Sequence, residues 1–190
     1  MTPRIPPIPE AEWDEPTRAL IQMPWFADRP TKGQNFFQTF VRHPELFGAW
    51  NEFGRTLFNG RLPERDRELL VLRIAWLAQC EFVWAQHQPV AEQLGMALHE
   101  IERIVDGPDA GWSDREAALL RAVDQLHAHA DIDDNTWTTL RAHYDDFELI
   151  EIPVVVGQYL LIAFFNNALR VEPDPSLPRL PGRARTKGQA

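Results

Sequence analysis

A single cysteine, Cys80, stands among the 190 residues of this chain. It cannot form an internal disulfide, and nothing in the composition calls for an oxidising compartment. Serine is almost as scarce: Ser113 and Ser176 are the only two, and neither sits in a G-x-S-x-G turn. Glycine never clusters into a phosphate-binding loop, and no stretch alternates as a half-buried strand would. Basic charge is short, with a net charge of −9. A nucleic-acid partner needs a concentrated basic surface, and none precedes residue 170. The N-terminal MTPRIPPIPEAEW has no apolar core of the kind a signal peptide carries. The longest apolar run, Ile152 to Phe165, is interrupted by Gln158 and falls short of the ~20 residues of a membrane helix. It reads as a buried core helix. A cytoplasmic protein with neither a nucleic-acid nor a membrane partner is the expectation.

What is present is apolar and helical. Hydrophobic residues make up 44%, with seven tryptophans, enough for one substantial core. After a Pro-rich lead over 1–9, Asp14 and Pro16 make a helix start. Asn35 is placed to cap a short helix, and Leu46, Trp50, Phe53 and Leu57 form an apolar stripe along the next one. Pro63 and first-turn acids open a helix through ERDRELLVLRIAWLA, and CEFVWAQHQPVAEQLG continues as a second, with Pro89 inside it. Residues 98–105 predict a short helix. Ser113 to Glu116 reads as a capping box, Asp133 to Asn135 offers a cap for a helix through Tyr144, and a last helix runs from about Phe147 to Leu169. The fold class is all-α, with seven or eight helices in one domain over 1–170. Residues 171–190, Pro-rich and basic at Arg179, Arg183, Arg185 and Lys187, predict a flexible tail.

Six histidines invite a metal test, which the spacing fails. His127 and His129 diverge by roughly 200° on a helix, and no His, Cys, Asp or Glu set has ligand spacing. No metal site is expected. The remaining candidates lie between Arg65 and His87. Cys80 and His87, seven apart, project from nearly one helix face but roughly 10 Å apart along the axis, so they cannot bond directly on one straight helix. Glu68 would lie ~18 Å from Cys80 on a continuous helix; the two come together only if the chain bends. A bend near Gln79 would set Cys80 at a helix N-terminus, where the dipole favours a thiolate, with Glu81 working against it. The residues alone also allow Cys80 as a small core side chain, His87 as a structural histidine and Glu68 as a surface acid paired with Arg65 or Arg67.

The run ERDRELLVLRIAWLAQCEFVWAQH resembles the carboxymuconolactone decarboxylase and alkylhydroperoxidase D-like family. The RIPPIP opening, SDREAALLRAVDQLHAHADI and LIEIPVVVGQYLLIAFFNNAL extend the likeness to its longer members. The resemblance implies an all-helical fold and a homo-oligomer, whether dimer, trimer or hexamer. In the alkylhydroperoxidase branch a Glu, a Cys-x-x-Cys pair and a His form a proton relay. The Glu falls on Glu68, the first Cys on Cys80 and the His on His87, but Val83 stands where the second Cys belongs. A disulfide-cycling peroxidase therefore lacks its partner thiol.

The likeness to the decarboxylase branch instead implies cofactor-independent acid/base chemistry on a small organic acid or lactone, as a lyase or isomerase. On that reading His87 is the acid/base, Glu68 orients it and Cys80 lines the site. Trp84 and the Gln158–Tyr159 pair are candidate pocket walls. Arg65, Arg67 and Arg73 are candidates for a substrate carboxylate, with Arg67 beside Glu68. Two alternatives remain: a single-thiol peroxidase (peroxiredoxin activity) using Cys80 with an external reductant, and a non-catalytic oligomeric or ligand-binding member.

Overall fold

A computed structural model of the chain describes residues 2–21 and 34–182. Among the described residues there are nine α-helices and no strand. They are α1 (Glu15–Ile21), α2 (Gln34–Phe40), α3 (Pro44–Phe58), α4 (Glu64–Leu77), α5 (Glu81–Gln93), α6 (Leu98–Arg103), α7 (Asp114–His129), α8 (Asp134–Arg141) and α9 (Asp146–Leu169), with 3-10 turns at Glu10–Glu12 and Ile104–Asp106. The expected all-α class holds. The count among the described residues is one above the upper end of the expected seven or eight. The loop expected between Pro24 and Pro30 lies outside the described residues.

The centre of the fold is α4. Every residue from Asp66 to Ala75 is buried, including Asp66, Arg67, Glu68 and Arg73. A helix buried all round needs partners on every side. It packs against α5, α7 and α9, with α8 on α7. Phe36, Phe40, Phe47, Trp50, Phe82 and Phe165 add an aromatic cluster where α2 and α3 meet α5 and α9, most of its ring pairs edge-on or tilted.

The ends follow local chemistry. Ser113 accepts from the Glu116 N–H while the Glu116 carboxylate accepts from the Ser113 N–H, the expected capping box of α7. Asp133 caps α8 and Asp145 caps α9. Arg73, on α4, donates through Nε and Nη2 to both oxygens of Asp124 on α7, and through Nη1 to the carbonyls of Ile104 and Val105. Glu151 of α9 accepts from the backbone N–H groups of Arg61 and Leu62, which fixes the α3–α4 connection.

Four expectations change. Asn35 is not a cap: α2 has begun by Gln34, and the Asn35 amide donates instead to the Glu172 carbonyl. The stripe of α3 turns only partly inward: Trp50 and Leu57 pack against the core. Leu46 and Phe53 are exposed, and the buried face carries Phe47 and Asn51, because apolar residues surround more of this helix than one stripe. The apolar run of α9 is not wholly core. The helix is 24 residues long, and by length and composition alone it is long and apolar enough to cross a membrane. Its inner face, with Ile152, Val155, Val156 and Ile162, joins the core, while Phe147, Ile150, Leu161 and Phe164 are exposed. The segment after residue 170 has no helix or strand as far as Gly182, yet it is packed. Val171 and Leu180 are buried, and Arg179 pairs with Glu81 at 2.7 Å. An apolar side chain every few residues holds it down as far as Gly182; the rest of the tail expected to be flexible, with Arg183, Arg185 and Lys187, lies outside the described residues.

Candidate functional site

Between α4 and α5 the chain breaks rather than bends. Helix α4 ends at Leu77, Gln79 takes the left-handed conformation (φ +52°), and Cys80 is the N-cap of α5. Left-handed backbone is costly for a residue with a Cβ, and it persists where surrounding packing dictates it. The break sends α5 back alongside α4. Glu68, near the start of α4, thereby meets His87, in the middle of α5.

Their contact is short. His87 Nδ1 lies 2.7 Å from Glu68 Oε2, with the two side chains 10% and 2% exposed. A carboxylate only accepts, so the imidazole donates through Nδ1. In the neutral ring that leaves the Nε2 lone pair as the basic position. The Tyr159 ring meets the imidazole edge-on, with centroids 4.8 Å apart. Arg67, also buried, sets its Nε 3.9 Å from Glu68 Oε1, donates through Nη1 to the Phe58 carbonyl, and lies over the Phe58 ring. Such an arrangement can fix one imidazole tautomer, hold a negative charge behind it and pass a proton through Nε2.

The candidate residues separate on this geometry. Glu68, His87, Tyr159 and Arg67 form one connected cluster. The sequence left Arg65, Arg67 and Arg73 equal; the structure occupies two of them elsewhere. Arg65 binds Glu100 and Glu116, and Arg73 binds Asp124 and two carbonyls. Trp84 is fully buried, and its indole donates to Gln88. It is placed as core rather than as the wall of an open pocket. Cys80 is also fully buried; its N–H donates to the Ala75 carbonyl, and its side chain does not cap α5. Gln158 is buried, with its amide beside Gly54 of α3. Among the described residues, no three His, Cys, Asp or Glu side chains converge as a metal site would require.

A second polar cluster went unread in the sequence. Asp66 sits fully buried in the first turn of α4, where its type suggests a helix-dipole acid. It accepts at Oδ2 from the Tyr144 hydroxyl (2.8 Å) and from Arg115 (2.7 Å). Burial pushes its carboxyl above the ordinary range, against the hydrogen bond from Tyr144 and the charge of Arg115. Burial and the adjacent carboxylate push the Tyr144 phenol up as well. The ERDRELL spacing signals nothing of this, because the partners lie 49 and 78 residues away.

Residues 44–125 match the model of the carboxymuconolactone decarboxylase family. Both members of the Glu68–His87 pair fall inside that match. The likeness to the carboxymuconolactone decarboxylase family is carried by these residues. No curated protein sequence matches the chain. Solved structures share the fold. A putative antioxidant defence protein AhpD from Agrobacterium tumefaciens, of unknown function, is 24% identical with a TM-score of 0.66, over 70% of this chain and 94% of its own. An uncharacterized peroxidase-related protein from Ralstonia eutropha JMP134, described as an alkylhydroperoxidase AhpD core, is 19% identical with a TM-score of 0.76, over 90% and 93%. A Cys-to-Ala form of the debrominase Bmp8, in complex with 2,3,4-tribromopyrrole, is 15% identical with a TM-score of 0.72, over 92% and 94%. In this fold, the break at Gln79 is what brings α4 and α5 side by side at Glu68 and His87.

Proposed function

We propose that this chain is an enzyme of acid/base chemistry, a decarboxylase-like lyase or isomerase that acts on a small organic acid or lactone without a cofactor. His87 moves the proton at Nε2. Glu68 holds the ring by Nδ1 and balances the charge when the imidazole is protonated. Arg67 lies behind Glu68, and Tyr159 sets the ring edge. One observation carries this reading: the 2.7 Å bond between two buried ionisable groups brought from separate helices. Proton transfer by such a group contributes roughly 10²–10⁴-fold to a rate.

The test is exchange of α-carbon protons in D2O, followed by NMR together with CO2 release, over a panel of carboxylated lactones and β-keto acids. The wild type and the His87→Ala and Glu68→Gln variants are run side by side. Turnover of any panel member that survives His87→Ala unchanged would sink the assignment.

A second reading has its own support. Cys80 is the N-cap of α5, where the first-turn N–H groups and the helix dipole favour a thiolate. Two of the structural neighbours bear peroxidase-related or antioxidant names, and a third is a debrominase crystallised with a cysteine replaced. As a single-thiol peroxidase, the Cys80 thiolate would attack a hydroperoxide oxygen, releasing the alcohol and forming a sulfenic acid. An external thiol would then reduce it. The complete burial of Cys80 places the acid/base reading first.

A further inference from the structure

The guanidinium of Arg67 is held from behind. Among the described residues it has three polar neighbours: Glu68 Oε1 at 3.9 Å from Nε, Glu64 Oε1 at 3.9 Å from Nη2, and the Phe58 carbonyl at 3.1 Å from Nη1. The last of these alone is at hydrogen-bond distance. Phe58 closes α3, where carbonyls without an intrahelical donor carry the negative end of the helix dipole and favour a cation. The place of Arg67 beside Glu68 is therefore set by where α3 ends. A cation 3.9 Å from Glu68 offsets part of the charge behind His87, so its position tunes how strongly Glu68 accepts from Nδ1.

What fixes that end is a carboxylate on another helix. Glu151 of α9 accepts from the Arg61 N–H at both oxygens (2.9 and 3.0 Å) and from the Leu62 N–H at Oε2 (2.8 Å). Successive backbone N–H groups make an anion-binding concavity, and here the chain fills it with its own side chain. Gly60 is fitted to it. The backbone at Gly60 is not left-handed, so conformation does not call for a glycine. Space does: a Cβ there would stand 2.6 to 2.8 Å from the three atoms of the Glu151 carboxyl group. Arg61 adds a second tie, its guanidinium lying over the Phe147 ring and 3.8 Å from Asp145, the N-cap of α9. Tyr159, whose ring meets His87, lies on the same helix roughly 12 Å further along.

We propose that Glu151 is a positioning residue for the Glu68–His87 pair. Seated on the N–H groups of Arg61 and Leu62, it holds the end of α3 so that the Phe58 carbonyl keeps Arg67 beside Glu68. One helix, α9, thus braces the imidazole through Tyr159 and the charge behind it through Glu151. The consequence for rate rests on the acid/base reading of His87; the placement of Arg67 does not.

The experiment compares the full chain with Glu151→Gln, Gly60→Ala, their double variant and Arg67→Met. Glu151→Gln turns one acceptor into a donor that faces the same N–H groups. Gly60→Ala pushes the carboxylate out without altering it. The readout is the 15N resonance of His87 Nδ1 at fixed pH, detected through the carbon-bound ring protons and assigned by its loss in His87→Ala. Arg67→Met should move it. Glu151→Gln and Gly60→Ala should move it in the same direction, and the double variant no further than the larger single change. Asp133→Ala, which removes the cap of α8 and costs stability elsewhere, should leave it in place. On a substrate from the exchange panel, kcat should fall about tenfold in Glu151→Gln and Gly60→Ala with KM within about twofold, since Arg67 stands behind Glu68.

A resonance unmoved by Glu151→Gln and Gly60→Ala, unmoved by Arg67→Met, or moved as far by Asp133→Ala would overturn the proposal. So would an unchanged kcat in both loop variants of a chain whose turnover needs His87. If turnover survives His87→Ala, the acid/base reading falls, and the ring resonance still decides whether Glu151 places Arg67.

Discussion

Glu68 and His87 are nineteen residues apart in sequence and 2.7 Å apart in space, and the left-handed Gln79 between them is what permits it. Had α4 run on into α5, the two would lie almost 30 Å apart along one axis. The pair therefore depends on a local backbone conformation that serves neither helix by itself.

The first prediction concerns that pair. Glu68→Gln keeps an acceptor for Nδ1–H and removes the charge, so the fold should survive while turnover falls. His87→Ala removes the proton carrier. Each should lower kcat/KM by roughly 10²–10⁴-fold, and the double variant should lose little beyond the worse single one, because the two act as a unit. Steady-state rates on the substrate found by the exchange panel check this. Losses that multiply would show two independent roles.

Cys80 yields the second prediction. A thiol with no exposed surface reacts only when the structure opens, so its alkylation should be slow at neutral pH and should rise with denaturant in step with local unfolding. His87→Ala and Glu68→Gln should change the rate only as far as they change stability. Timed alkylation read by mass spectrometry decides the matter. A fast thiol in native buffer, slowed specifically when Glu68 or His87 is changed, would move the peroxidase reading ahead of the acid/base one.

How far the sequence could lead is visible in these same residues. The capping box at Ser113 and the cap at Asp133 were legible because their partners lie within three residues. So was the placement of Glu68 and His87 on helices. The meeting of Glu68 with His87 was legible only as a condition, since no propensity places a non-glycine residue at φ +52°. The inward face of α3 was legible only in part: Trp50 and Leu57 of the stripe pack on the core, but the fully buried Phe47 lies off it. Asp66 and Arg73 were opaque for a related reason: their partners, Tyr144, Arg115 and Asp124, are 49 to 78 residues away. Long-range pairing leaves no local pattern.

Asp66 supports a prediction in pH. Its carboxyl lies above the ordinary 3.8 because burial disfavours the charged form. A raised acid contributes stability that is complete below the unfolded value and is lost as pH rises through the folded one. Asp66→Asn lacks that titration and still accepts from Tyr144. Its stability relative to the wild type should therefore improve as pH rises from about 4 toward neutrality. Urea midpoints of both proteins at pH 4 and pH 7 test it, and a gap that moves the other way would show that Arg115 dominates the site.

Arg73 gives the last prediction, on stability alone. Its guanidinium is buried and makes four hydrogen bonds to three partners, two to Asp124 and one each to the carbonyls of Ile104 and Val105. Only a planar fork reaches a carboxylate on α7 and two carbonyls of the 3-10 turn together. Arg73→Lys keeps the charge and loses that geometry, which leaves acceptors unmet in a buried place. The cost should be about 2–4 kcal/mol, read as a lower urea midpoint at unchanged slope. In a cycle with Asp124→Asn, the coupling should be strong for arginine and much smaller for lysine. Equal coupling for the two would mean that charge alone, and not the fork, ties α4 to α7.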